Sequence, residues 1–232
     1  MKVLIFIIFY LCLSYTSKSQ VHLTKDIDPD IVIINIEEGD RAFIGNLIQK
    51  IDSCNPALIG IDAWFVSEKD NYQDSILQKA LSETNKEVLA YTRRDTVLIR
   101  SHEKFEKLSN EKGIAYLIAE NEIAIKFIPL TNINGKTHIH FALQIAKKWK
   151  PNLEYQYKVD EQVSINYERT VEQYLTFNGS DINYKKHSKF LKNKIVLLGY
   201  LGPSNEDKHI TPLGSTYGII IIANQVRMIL NK

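Results

Sequence analysis

The chain has 232 residues, of which 44% are hydrophobic and 24% are charged, and this composition is typical of a globular protein with a substantial core. It excludes a disordered chain, a collagen-like chain and a disulfide-rich miniature protein. The 29 basic and 27 acidic side chains nearly balance. Because binding to nucleic acid or to anionic lipid needs a clear excess of positive charge, no nucleic-acid partner is expected.

The first residues have the layout of a secretory signal peptide. Lys2 precedes the apolar run of residues 3–13, and small or polar residues stand before a cut at Gln20. The run has eleven residues, fewer than the roughly 20 that a transmembrane helix needs; an uncleaved membrane anchor is the alternative. We therefore predict a signal peptide over residues 1–19 and an extracytoplasmic mature chain, periplasmic or secreted, in which Cys54 is the single cysteine.

The mature chain begins with a strand, a helix and a second strand. Residues 31–36 (IVIINI) are a continuous apolar run of strand length, which is typical of a strand buried on both faces. Residues 43–51 repeat apolar side chains at helical spacing after Asp40, a good N-cap, and residues 57–61 (ALIGI) form a second buried strand. This order predicts a right-handed βαβ unit with parallel strands.

The rest of the chain continues the alternation without an internal repeat or a linker. The patterns predict a helix at 72–81, a strand at 87–91, a hairpin of 114–119 with 123–128, a helix at 139–149, weak strands at 164–167 and 173–176, a buried strand at 195–198 and a closing helix at 219–230. The predicted fold is a single α/β domain over residues 20–232, with a mixed, mostly parallel sheet and flanking helices.

Polar residues follow two of the predicted buried strands. Asp62 and Trp64 come after the second strand of the βαβ unit, and Asp207, His209 and Thr211 follow the last buried strand. Ligands of parallel α/β sheets bind beyond the carboxyl ends of the strands, so we expect Asp62, Asp207 and His209 to lie together. The sequence therefore predicts a ligand-binding site made from these five residues.

The same residues leave other functions open. A metal-assisted hydrolase would use Asp62, Asp207 and His209, whereas a purely structural interaction protein would use none of them. An aspartate at a strand end, such as Asp62, also commonly caps a loop. Because the chain lacks the CxxC, HExxH, GxSxG and P-loop signatures, we predict a non-enzymatic protein without a cofactor. His138 and His140 open a predicted helix, where their side chains diverge, so no metal site is predicted there.

An ordered set of motifs resembles the type-two CHASE domain, a sensory extracellular domain associated with cyclases and histidine kinases. The specific part is the closing order of a strand, Asp-x-His-x-Thr-Pro and Gly-x4-Ala-Asn. The resemblance rests on residues 31–38, 58–62, 74–81, 127–130, 193–199, 207–213 and 218–224.

The resemblance implies an α/β sensory module outside the cytoplasmic membrane, of a kind usually tethered to transmembrane helices and to a cytoplasmic output domain. This sequence ends at Lys232, just after the last predicted helix. We therefore expect a separate membrane signalling partner, or a second copy in a homodimer, to contact the chain near residues 228–232. The expected ligand is an unknown small molecule or an envelope protein.

The last predicted helix has an unusual apolar pattern. Residues 219–222 cover every side of a helical turn, which predicts either complete burial or an interface.

Overall fold

A computed structural model describes residues 26–205 and 207–231, so the predicted signal peptide lies outside the described residues. Six α-helices and fourteen strands occur in the described part of the chain. The helices are α1 (Arg41–Ser53), α2 (Asn71–Glu83), α3 (Glu103–Glu106), α4 (Phe141–Trp149), α5 (Tyr184–Leu191) and α6 (Gly218–Leu230). The strands are β1 (Ile31–Asn35), β2 (Leu58–Ile61), β3 (Glu87–Arg94), β4 (Val97–Ile99), β5 (Lys112–Ile114), β6 (Ile118–Glu120), β7 (Ile123–Phe127), β8 (Leu130–Ile133), β9 (Lys136–Ile139), β10 (Val163–Ser164), β11 (Leu175–Asn178), β12 (Ile195–Gly199), β13 (Lys208–Thr211) and β14 (Gly214–Tyr217).

The main sheet has the strand order β11-β1-β12-β2-β3, and the far edge of β3 pairs with both β5 and β4. Every pairing in it is parallel except that of β4, which runs antiparallel to the end of β3. The predicted α/β class and the mostly parallel sheet are confirmed. β1 and β2 are parallel, as the βαβ pattern predicts, but β12 lies between them.

Helices cover both faces of the main sheet. The core on one face includes side chains of α1, α2 and α5, and the core on the other face includes those of α4 and α6. The three central strands β1, β12 and β2 are buried at every position. This double burial explains why each of them is a continuous apolar run rather than an alternating one.

A smaller sheet has the order β10-β7-β13-β14, with β6 also paired to β7, and a separate hairpin joins β8 to β9. The predicted strand 114–119 is wrong, because Ile114 ends β5 in the main sheet and Ile118 begins β6 in the smaller one. The predicted hairpin is confirmed only for β6 and β7, whose turn residues Asn121 and Glu122 both have positive φ. The weak strand predicted at 164–167 overlaps the two-residue β10 only at Ser164, and the one predicted at 173–176 overlaps β11 at Leu175 and Thr176.

Helix α6 is buried on every side of its first turn. Ile219, Ile220, Ile221 and Ile222 are each at most 4% exposed, so complete burial is the alternative that the structure supports. The Asn224 side chain attaches the segment 166–170 to the helix, since it accepts from the N–H groups of Glu168 and Arg169 and donates to the Arg169 carbonyl. The helix therefore lies between the main sheet, α4 and this segment.

The end of α6 is tied to the segment before β1 through the carboxylate of Asp28. This side chain is fully buried and accepts from the N–H groups of Asp30 and Ile31 at 3.0 and 2.9 Å. It also accepts from the guanidinium of Arg227, with 2.8 Å between Nε and Oδ2, and it lies 3.5 Å from Nε of Arg169. We call this arrangement of Asp28, Arg227 and Arg169 the Asp28 clamp.

A second buried ionic network holds the loop that follows β2. The Asp74 carboxylate contacts Arg41 at 2.5 Å and Lys104 at 2.7 Å, and it accepts from the Lys69 N–H. Arg41 also donates to the carbonyl of Ser67. Burial alone would raise the pKa of Asp74, but the hydrogen bonds from Lys104, Arg41 and Lys69 outweigh it and lower the pKa to about 2.

Replacing Asp74 with Asn should lower the free energy of unfolding by about 3–5 kcal/mol, because it leaves buried Arg41 without its counter-ion. The contribution of Asp74 is present above pH ~4 and is lost as the pH falls toward 2, since the pKa is lower in the folded than in the unfolded state. Urea unfolding at pH 7 measures the difference. Lys79→Gln, in an exposed pair on the same helix, is the control and should change stability by less than about 0.5 kcal/mol. Equal effects of the two variants would contradict the account.

Candidate functional site

A cavity of about 520 Å³ lies between the carboxyl ends of the main strands and the smaller sheet. The main sheet and its loops contribute Asp62, Trp64 and Tyr116, the smaller sheet contributes His209, and α6 contributes Gly218 and Ile222. This volume is within the range of small-molecule sites, and the position is where α/β folds place their ligands.

Four of the five predicted site residues line this cavity. Asp62, Trp64, Asp207 and His209 are brought together, as expected from strands that run parallel and end at the same edge. Thr211 is elsewhere: its hydroxyl donates to the carbonyl of Gly214 at 2.8 Å and accepts from the N–H of Leu213, so it closes the turn of the β13–β14 hairpin. Binding of a ligand by the other four stays a prediction.

The loop that carries Asp62 and Trp64 is fixed at several points. The N–H of Asp62 donates to the carbonyl of Leu198 at 2.9 Å, which continues the pairing of β2 with β12 beyond the end of β2. Three residues further on, Phe65 is buried, and its N–H donates to the hydroxyl of Ser101. The Trp64 side chain is 41% exposed, so a large indole stands at the edge of the cavity with room to contact a ligand.

Asp207 lies against the first residue of α6. Its carbonyl accepts from the N–H of Gly218 at 2.9 Å. A Cβ on Gly218 would come within 2.6 Å of the Asp207 carboxylate, so glycine leaves the space that this carboxylate occupies. The positive end of the helix dipole favours a negative charge at this place.

The two carboxylates of the cavity affect each other. Burial is the larger cause that raises the pKa of Asp62 from 3.8 to about 7, the negative charge of Asp207 raises it further, and His209 opposes both. The imidazole Nε2 of His209 is 3.8 Å from Oδ1 of Asp207. Among the described residues, the Asp62 carboxylate has no ion pair with a lysine or arginine. The basic partner that the described residues supply to these two carboxylates is therefore the imidazole of His209.

Tyr116 and Glu122 also line the cavity, although no pattern in the sequence indicated them. Tyr116 follows the end of β5, and Glu122 is in the β6–β7 turn with φ of 67°. Both reach the cavity only because the smaller sheet folds over the main one. The Glu-Asn-Glu turn between two apolar runs was the available signal, but it indicates a hairpin rather than a site.

His138 and His140 lie outside the lining of the cavity. His138 is on β9 and shares a hydrogen bond of 2.8 Å with the hydroxyl of Tyr91, and His140 caps α4 by accepting from the Ala142 N–H. Burial lowers the pKa of His140 to about 4. Within residues 26–205 and 207–231, no group of three or more His, Cys, Asp or Glu side chains is arranged to hold a metal ion.

A layered α/β domain with a ligand-sized cavity beyond its parallel strands belongs to a class of folds in which small molecules commonly bind at that place. The chain belongs to the CHASE2 family, because the family model described as the CHASE2 domain matches residues 13–232. CHASE2 domains are typically extracellular sensory domains and not a catalytic family. No curated protein and no solved structure matches the chain. In the described part, no helix is both long and apolar enough to cross a membrane.

Replacing Asp62 with Asn should stabilise the protein at pH 8 by about 2–4 kcal/mol and change its stability little at pH 4. The reason is that the pKa is higher in the folded than in the unfolded state, so the ionised carboxylate costs stability as the pH rises from about 4 to 7. Denaturant unfolding at both pH values measures the effect.

Asp95→Asn is the control, since Asp95 is exposed in a turn with positive φ that asparagine accepts. It should change stability by less than about 0.5 kcal/mol at either pH. A destabilised Asp62→Asn protein at pH 8 would show that the carboxylate serves as a structural cap.

Proposed function

We propose that this chain is an exported, non-enzymatic sensory module that binds a small molecule in the cavity and acts through a separate partner protein. Membership of the CHASE2 family supports the sensory role. The joint position of Asp62, Trp64, Asp207 and His209 supports the cavity as the place where the signal molecule binds.

The observation that carries the proposal is that α6 contacts both the cavity and the Asp28 clamp. Gly218 and Ile222 line the cavity, and Arg227 donates to Asp28 at the other end of the helix. The nine helical rises from Gly218 to Arg227 correspond to about 14 Å. Because the helix is buried at every residue from Gly218 to Val226, a displacement at its first turn is passed along its axis rather than absorbed by solvent-exposed side chains.

Between these two ends, Gln225 is completely buried, and neither polar atom of its side chain has a hydrogen-bond partner among the described residues. Such an amide costs the folded state roughly 1–3 kcal/mol. A shift of α6 that gives the amide a partner would recover part of this energy. The unsatisfied Gln225 therefore supports a second arrangement of the helix, which a ligand would select by binding it more tightly.

In this proposal the partner protein binds at the end of α6 and responds to the position of the helix. Met228 and Leu230 are only partly buried and Asn231 is exposed, so this end is accessible. It lies beside the Asp28 clamp, which also orders the residues just before β1. A membrane protein or a second copy of this chain that docks there would sense any change in the clamp.

Filling the cavity should abolish ligand binding. Ala119 is exposed and lines the cavity, so Ala119→Trp places an indole in it without opening the core. We expect compounds from a metabolite library that raise the melting temperature of the wild-type protein to have no effect on this variant, because ligands stabilise only the state that binds them.

Ser75→Trp, on the exposed side of α2, is the matched control and should keep every response. If the stabilising compounds act equally on both variants, the ligand binds elsewhere. If the library stabilises none of the three proteins, the result favours a structural interaction protein over a small-molecule sensor.

A further inference from the structure

More acidic than basic side chains line the cavity. Asp62, Asp207 and Glu122 line it with carboxylates, and Lys208 and His209 are the basic residues of its lining. The ammonium of Lys208 lies 5.0 Å from the ring centre of Tyr217, which lies outside the lining of the cavity. Among the described residues, the basic group that pairs with these aspartates is the imidazole of His209, whose Nε2 lies 3.8 Å from Oδ1 of Asp207, and no lysine or arginine pairs with either carboxylate.

Buried aspartates elsewhere in the protein are neutralised by cations. Asp28 has the guanidinium groups of Arg227 and Arg169, and Asp74 has Arg41 and Lys104. Asp62 differs, because no lysine or arginine of the described residues pairs with it although a second carboxylate lies nearby. In the described part of the chain, Asp28 and Asp74 thus have lysine or arginine partners, whereas Asp62 has none.

The walls of the cavity fit an organic molecule rather than a bare ion. Trp64 presents an exposed indole, and Leu117, Ile222 and three alanines add apolar surface. The ring of Tyr116 also lines the cavity, but the guanidinium of Arg93 already lies over it, 4.3 Å from the ring centre. A volume of about 520 Å³ is far more than a metal ion fills. An indole ring attracts ammonium groups through its face, so Trp64 and the carboxylates favour the same sign of ligand charge.

We propose that the cavity binds a small organic cation, with its ammonium group between the carboxylates of Asp62 and Asp207 and its apolar part against Trp64 and Ile222. This inference rests on the proposed function, since it names the chemical class of the ligand for the same cavity. An anionic ligand would face two like charges, and a neutral ligand would leave the two carboxylates without a cationic partner.

The test compares probes of similar shape that differ in charge. Choline is compared with 3,3-dimethylbutan-1-ol, and 2-phenylethylamine with 2-phenylethanol and with the anion 3-phenylpropionate, at pH 8. Binding is followed through the indole N–H resonance of Trp64, with that of Trp149, outside the cavity lining, as the internal reference. We expect at least one cation to bind at least tenfold more tightly than its neutral counterpart, and 3-phenylpropionate to bind most weakly.

Two variants then assign the preference to the carboxylates. Asp62→Asn should weaken the binding of the cation at least tenfold while the neutral counterpart keeps its affinity. His209→Lys, which adds an ammonium beside Asp207 and keeps both carboxylates, should also weaken the cation at least tenfold. Asp95→Asn, which lies outside the cavity lining, should change neither affinity.

The possible results separate this inference from the proposed function. If neutral or anionic probes shift the Trp64 resonance at least as strongly as the cations do, the proposed preference for a cation is wrong. The cavity would still be a binding site. Cation binding that both variants retain in full would also overturn it. If no probe of any charge shifts Trp64, the cationic preference and the proposed role of the cavity both fail.

Discussion

The burial of α6 from Gly218 to Val226 is the constraint on which the rest of the structure depends. Four consecutive isoleucines need apolar neighbours on every side, and the main sheet, α4 and the segment 166–170 supply them. This requirement fixes the first turn of the helix at the carboxyl edge of the main sheet and its last turn beside the start of β1. The cavity and the Asp28 clamp thus lie at opposite ends of α6.

The electrostatics of the molecule differ between its structural and its candidate functional parts. The Asp28 clamp and the Asp74 network each surround a carboxylate with cations and N–H groups, so both favour the folded state. Among the described residues, no lysine or arginine pairs with Asp62, and because its pKa is raised to about 7 in the folded state, its ionisation lowers stability as the pH rises from about 4 to 7. A charge retained at such a cost, in a cavity with an exposed indole, is typical of a site that a ligand completes.

Local patterns in the sequence predicted the main sheet and most helices because these elements are buried on whole faces. Strand runs such as IVIINI and caps such as Asp40 act within a few residues, and the parallel order then brought Asp62 and Asp207 to one edge. The smaller sheet was missed in part because its strands are two to five residues long and depend on tertiary pairing. The Asn134–Gly135 pair, with positive φ at both residues, was a usable signal for the β8–β9 hairpin. The Asp28 clamp joins residues 199 apart in sequence, which no local pattern reveals.

The most direct test of the account is whether the cavity and the Asp28 clamp respond together. The N–H groups of Asp30 and Ile31 donate to Asp28, and neither residue lines the cavity. Their ¹H–¹⁵N resonances therefore report on the clamp. We expect titration with 2-phenylethylamine to shift them with the same dissociation constant as the Trp64 indole, while the Gln73 N–H at the cap of α2 stays unchanged. A Trp64 response with no change at Asp30 and Ile31 would contradict the coupling through α6.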